Sequence, residues 1–134
     1  MNTNYTSIEQ SRNLLKLGLN PETADMWYEY DHTIMDFSPV PKIGTYQCTE
    51  TPMIPCWSFG RLIELMPRYI KWGKKYFELM VIPFYSSVRY YNADTKTCLE
   101  SKMDTTIMNA AVKMAERLLL CKDTLLKGTT SKIL

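Results

Sequence analysis

The sequence predicts a single α+β domain, with three main helices packed on a small antiparallel β-sheet of about three strands and a long irregular arm. Three observations carry this. Near the end, Ile107, Ala111, Met114, Leu118 and Leu125 follow helical spacing, and Lys113, Arg117 and Lys122 cover the opposite side. Before that helix, Phe77, Leu79 and Val81 alternate with Tyr76, Glu78 and Met80, the two-residue period of a strand with one apolar face. The chain has 134 residues, 46% hydrophobic and 22% charged, which suits one continuous core spanning residues 1–134.

The first helix is expected over residues 6–19. Thr6-x-x-Glu9 and Ser7-x-x-Gln10 are overlapping capping boxes, in which a hydroxyl accepts from an orphan backbone N–H and the acid or amide reaches back. Ile8, Ser11, Leu15 and Leu19 form one stripe with Leu14 beside it, and Gly18 suits the stop. Asn20-Pro21-Glu22 restarts a helical turn that runs to about Met26, with Asn20 as cap.

Residues 27–54 read as the irregular arm. Trp27-Tyr28-Glu29-Tyr30 suits a strand, but Pro39, Pro41, Gly44, Pro52 and Pro55 follow. A long segment of this kind is either a functional loop or a cover for one side of the core. Pro55 and Pro67 then bracket a second, largely buried helix capped by Ser58. Gly60 within it lowers helix propensity, which suggests close approach of another group. The expected strands are 69–72, 75–82 and 86–92, turning at Gly73-Lys74 and at Asn92-Ala93-Asp94-Thr95 and broken by Pro83. In the third, Val88 and Tyr90 share one face and Arg89 and Tyr91 the other. Asp104 is the expected cap of the last helix, Gly128 its end, and residues 128–134 a frayed tail.

The net charge of +2 is too balanced to imply nucleic acid or an anionic membrane by itself. Its distribution is uneven. Glu22, Asp25, Glu29, Asp31 and Asp36 make residues 22–36 acidic, whereas Arg61, Arg68, Lys71, Lys74 and Lys75 make residues 61–76 basic against Glu64 alone. Cys48, Cys56, Cys98 and Cys121 form no Cys-x-x-Cys pair, and residues 1–6 have no signal-peptide character. The expectation is reduced thiols in the cytoplasm and no membrane span.

No catalytic, metal or cofactor motif stands out. His32 is the single histidine, and Cys56 precedes a helix N-terminus, so Cys56 with His32 is the one nucleophile–base pair available. A buried structural cysteine is the commoner reading. Cys48, Cys56 and His32 are too loosely spaced for zinc, and Asp31 and Asp36 do not make a calcium loop. Glu64 is either a buried acid or a solvated partner of Arg61 or Arg68, the second being the cheaper state.

Two binding readings are stronger. Trp27, Tyr28, Tyr30, Trp72, Tyr85, Tyr90 and Tyr91 exceed what a small core comfortably hides, and aromatic and Met side chains are enriched at protein interfaces. A protein partner or a homodimer is therefore the leading expectation. The alternative is nucleic acid on the basic, aromatic 61–76 patch, unless the acidic segment 22–36 neutralises that patch within the molecule. The candidate partner-binding residues are Trp27, Tyr30, Arg68, Lys71, Trp72, Lys74 and Lys75.

The run Thr6-Ser7-Ile8-Glu9-Gln10-Ser11 with Leu14-Leu15-x-Leu17-Gly18-Leu19, then Pro21 to Met26 and Ile54 to Pro67, resembles uncharacterised small proteins of gut Bacteroidetes genomes and their phages or integrated elements. Asn109 to Met114 matches them more loosely. This resemblance implies a bacterial or phage cytoplasmic setting and assigns no activity to any residue.

Overall fold

Helix α3 (Ile107–Leu120) is the element on which the rest packs. Met108, Ala110, Ala111, Val112, Met114, Ala115, Leu118 and Leu119 along it are all buried. Its three small Ala side chains allow a sheet and a second helix to approach, and each buried Leu contributes about 1.5–3 kcal/mol relative to exposure. The computed structural model describes residues 4–45, 51–129 and 131–133. Thr106 caps α3, accepting from Asn109 N at 3.1 Å, so the expected cap at Asp104 is corrected by two residues. Asp104 instead accepts from the Lys113 ammonium at 2.6 Å and from Thr105 N, and these bonds hold its carboxyl down to about 2. The last helix also ends earlier than its apolar spacing predicts. The chain breaks at Cys121 and resumes as α4 (Lys122–Leu125).

Facing α3 is a meander of four antiparallel strands, β5 (Tyr69–Trp72), β6 (Lys75–Ile82), β7 (Ser87–Asn92) and β8 (Thr97–Met103), in that spatial order. The three predicted strands match β5, β6 and β7 almost residue for residue. β8 was not expected. Thr97-Cys98-Leu99-Glu100-Ser101-Lys102-Met103 has no apolar alternation, and a register shift at Tyr90/Tyr91 leaves Leu99 outside the pairing. Ile70, Phe77, Val88 and Tyr90 are buried on the inner face, with Leu79 and Val81 packed beside them. The Tyr90 hydroxyl donates to Pro67 O at 2.7 Å, and burial pushes its phenol pKa up.

The arm is a second sheet, which corrects the expectation of one sheet and an irregular segment. Strand β1 (Met26–Asp31) is central. β4 (Met53–Cys56) pairs along one edge, and the short β2 (Asp36–Phe37) and β3 (Lys42–Ile43) pair along the other, all antiparallel. Pro39 and Pro41 lie between β2 and β3, where an absent N–H cannot serve a ladder, and the register shifts there. Tyr28, Ile54 and Cys56 form a small separate core under this sheet, closed by Tyr5, Ile8, Met26 and Phe37.

Helix α1 (Ile8–Lys16) starts at the Ser7–Gln10 capping box. The competing Thr6–Glu9 box does not form, because Thr6 turns inward. Its hydroxyl accepts from Trp57 N at 3.0 Å and shares a 2.8 Å hydrogen bond with Ser11. Leu14 and Leu19 are buried from this region, while Leu15 is only half-buried. The following turn is a single 3₁₀ turn (Pro21–Thr23) capped by Asn20, shorter than expected because β1 begins at Met26. Helix α2 (Phe59–Leu65) is capped by Ser58 as predicted, and Trp57 before it is fully buried with its indole N–H on Thr23 Oγ1 at 3.0 Å. Among the described residues nothing lies within 4 Å of the space a Cβ would take at Gly60, so the close contact expected there is not seen among them. The tail does not fray over its described residues. Ser131 Oγ donates to Leu65 O at 2.9 Å, and Ile133 is 1% exposed in the main core. Among the described residues no helix is long and apolar enough to cross a membrane.

Candidate functional site

Paired residues on neighbouring strands project from the same face of a sheet. In the meander, Ile70 pairs with Phe77 on the buried side. One residue along, Tyr69 pairs with Glu78 and Glu78 with Tyr91, so these three lie on the outer face. Lys71–Tyr76 and Met80–Arg89–Ser101 continue that face, and Ile82–Ser87–Met103 completes it at the far end. Tyr69, Lys71, Tyr76, Glu78, Ser101 and Met103 on it are exposed, and Ser87 is buried with the Arg89 guanidinium donating to its hydroxyl.

The outer face has two chemically different halves. The half nearest the β5–β6 turn is aromatic and cationic. Tyr69 is 45% and Tyr76 59% exposed. The Arg68 guanidinium lies 5.8 Å from the Tyr69 ring centre and the Lys71 ammonium 5.7 Å from that of Tyr76. Among the described residues, no carboxylate lies within ion-pair distance of Arg68, Lys71, Lys74, Lys75 or Arg89. Among the described residues the ion pairs lie elsewhere: Lys42–Glu29, Arg61–Glu64, Lys132–Glu64, Lys113–Asp104, Arg117–Glu100 and Lys102–Glu100. The acidic segment therefore does not neutralise the basic patch. Glu29 is held by Lys42, Asp25 by Ser58, and Asp31 by the Thr33 amide.

The other half is apolar. Phe84 and Tyr85 sit on the 3₁₀ turn Pro83–Tyr85, which joins β6 to β7, 88% and 59% exposed, with their rings edge-to-face at 5.1 Å. Met103 beside them is 59% exposed. The turn is fixed by Ser86 N donating to Pro83 O at 3.0 Å and Asp104 N donating to Ser86 O at 3.2 Å. Ser86 itself takes a left-handed conformation, φ 48°, to close it.

The candidate partner-binding residues divide between the sheets. Arg68, Lys71, Trp72, Lys74 and Lys75 meet on the β5–β6 hairpin. Trp72 is 45% exposed but alternates onto the inner side, beyond the reach of the core. Trp27 and Tyr30 do not join them. Both are half-buried on β1, where Trp27 lies against Gly44 and Tyr30 packs edge-on to His32 and Phe37 at 5.0 and 5.5 Å. Tyr28 and Tyr90, grouped by sequence with the surplus aromatics, are buried. Phe84 and Met103 were missed. The signal for Met103 was weak because β8 itself was unread, and Phe84 follows a proline that reads only as a strand end.

The Cys56–His32 pair is not assembled. Cys56 pairs with Met26 at one end of β1, and His32 follows the other end, roughly 20 Å along at strand rise. The Cys56 thiol is fully buried between Thr6 and Tyr28, and burial raises its pKa. Cys98 is exposed, Cys121 is intermediate, and both are free thiols like Cys56; Cys48 lies outside the described residues. Glu64 is the solvated partner of Arg61, at 3.0 Å, and of Lys132. Comparison with protein-family models, with curated proteins and with solved structures finds no match.

Proposed function

We propose that this chain is a small non-enzymatic interaction module that takes a protein partner on the apolar half of the outer face, around Phe84, Tyr85, Ile82 and Met103. The observation that carries this reading is Phe84, 88% exposed on a turn that two backbone hydrogen bonds hold rigid. A folded chain gains nothing from presenting a large apolar ring to water, whereas an anchor set in advance lowers the ordering cost of binding. The resemblance of residues 6–26 and 54–67 to small proteins of gut Bacteroidetes and their phages supports a bacterial or phage setting, in the cytoplasm.

Photo-crosslinking inside host cells tests the reading. A benzoylphenylalanine placed at Phe84 should give a discrete adduct that a Met103→Asp change removes, while the same group at Lys16 should not. An adduct composed only of the chain itself, with a dimer in sedimentation lost on Phe84→Ser, identifies the partner as a second copy. Equal labelling at both positions would remove the proposal.

A further inference from the structure

The tyrosine-lined half of the outer face is chemically distinct from the Phe84 end and carries a separate ligand. We propose that it binds single-stranded nucleic acid, with Tyr69, Tyr76 and Tyr91 as stacking platforms for bases and Arg68, Lys71 and Arg89 as phosphate partners. This goes beyond the protein-partner reading and does not depend on it.

Three features of the geometry point to this ligand. First, the three rings are spread rather than clustered. Tyr69 and Tyr91 flank Glu78 on the neighbouring strands, so they stand about 10 Å apart across the sheet, and Tyr76 is two residues from Glu78 along β6. Rings spaced in this way can each take one base, where a packed aromatic cluster would take none. Stacking needs an unpaired base, which selects single strands over duplex. Second, cations interleave with the rings and are left without counter-charges. Arg68 and Lys71 each sit over a tyrosine, Arg89 lies two positions from Tyr91 on β7 and donates to Ser87 Oγ, and Lys74 extends the charge to the hairpin tip, while Lys75 pairs with Trp72 on the other side. Single cations elsewhere, such as Lys16 and Lys96, also lack an acid among the described residues, but here Arg68, Lys71 and Arg89 stand among tyrosines on one sheet face. Phosphates spaced along a backbone are its complement. Third, among the described residues the face has one carboxylate, Glu78, centred among the rings and without an ion pair or hydrogen bond to any of them. A carboxylate accepts from the exocyclic amine of cytosine, so its position favours base edges between flanking phosphates.

Fluorescence anisotropy with labelled 15-nucleotide oligomers tests this. The full chain should bind oligo-dT and oligo-dC at low salt, with affinity falling as salt rises. For about three phosphate contacts on a single strand, the slope of log K against log salt is roughly −2. Tyr76→Ala and Tyr69→Ala should each weaken binding roughly 10-fold. Lys71→Ala should flatten the slope by about 0.7. Phe84→Ser should leave binding unchanged, which separates this site from the proposed protein anchor. Urea unfolding of each variant establishes that the fold is kept; where Tyr69→Ala loses it, Tyr69→Ser with Tyr76→Phe as the stacking-competent control replaces it. No binding to any oligomer at 50 mM salt and ~100 μM protein overturns the proposal. So does binding to polyglutamate as tight as to the oligomers, which makes the face a receptor for acidic peptides. Equal binding to duplex that ignores the tyrosine changes reduces it to plain electrostatics and also overturns it.

Discussion

In the arm sheet, Trp27 rests on Gly44 and Tyr30 packs against His32 and Phe37; in the meander, Tyr69 and Tyr76 lie beneath cations, Phe84 stands edge-to-face with Tyr85, and all four rings are exposed. The two sheets are similar in strand number and differ in what fills them. The arm sheet has three buried residues beneath it, Tyr28, Ile54 and Cys56, closed by Tyr5, Ile8, Met26 and Phe37, and its Trp27 and Tyr30 are half-buried against Gly44 and against His32 and Phe37. The meander has α3 across its inner face, a complete core without help, and leaves its outer aromatics unused by the fold. Stability should therefore be more sensitive to the arm's surface aromatics than to those of the meander, and binding should show the reverse.

The largest expected effect lies in the main core, between α3 and the meander. Leu118→Ala should lower unfolding free energy by about 3 kcal/mol in urea titration, because α3 is fixed between the meander and α2 and has little room to collapse. Gly44→Ala tests the arm directly. Gly44 has φ 143°, and a Cβ there would fall 2.6 Å from the Trp27 ring. A loss of about 2 kcal/mol follows from overpacking with backbone strain, and Trp27→Ala in the same background should relieve part of it. Ser58→Ala removes the α2 cap and the hydroxyl that donates to Asp25, with an expected loss of about 1 kcal/mol.

How much of this was legible follows the density of buried apolar side chains. Phe77, Leu79 and Val81 alternate because α3 lies over them, and Ser58 and Pro67 mark helix ends by steric and capping rules, so β6, β7 and α2 were readable residue by residue. β2 and β3 are two residues each, separated by Pro39 and Pro41, and their pairing depends on β1 rather than on any pattern of their own. The docked tail was unreadable for the same reason, since Ile133 is one apolar residue with no neighbours in sequence to give it a period. Of the candidate site, the cationic hairpin was visible as composition. The cross-strand row of Tyr69, Glu78 and Tyr91 was not, because it depends on strand register.

A smaller effect concerns the tie between the end of β8 and α3. The hydrogen bond from Lys113 and those from Thr105 lower the Asp104 carboxyl from 3.8 to about 2. A group lowered in the folded state stabilises above its unfolded value and loses that contribution as pH falls through the folded one. The difference in melting temperature between the parent chain and Asp104→Asn should thus be present at neutral pH and close between about 3.8 and 2. Carboxyl-carbon NMR of Asp104, with a midpoint well below the ordinary aspartate range, checks the same shift.

The smallest changes in stability should come from the outer face of the meander, and the contrast with the arm tests the account most directly. Urea unfolding of Tyr76→Ser, Phe84→Ser and Trp27→Ala in parallel measures it. The account predicts that the first two stay within about 0.5 kcal/mol of the parent chain, while Trp27→Ala loses about 2 kcal/mol. Large losses for Tyr76→Ser and Phe84→Ser beside a neutral Trp27→Ala would contradict it, since the meander's outer aromatics would then belong to the fold and would not be free for a partner.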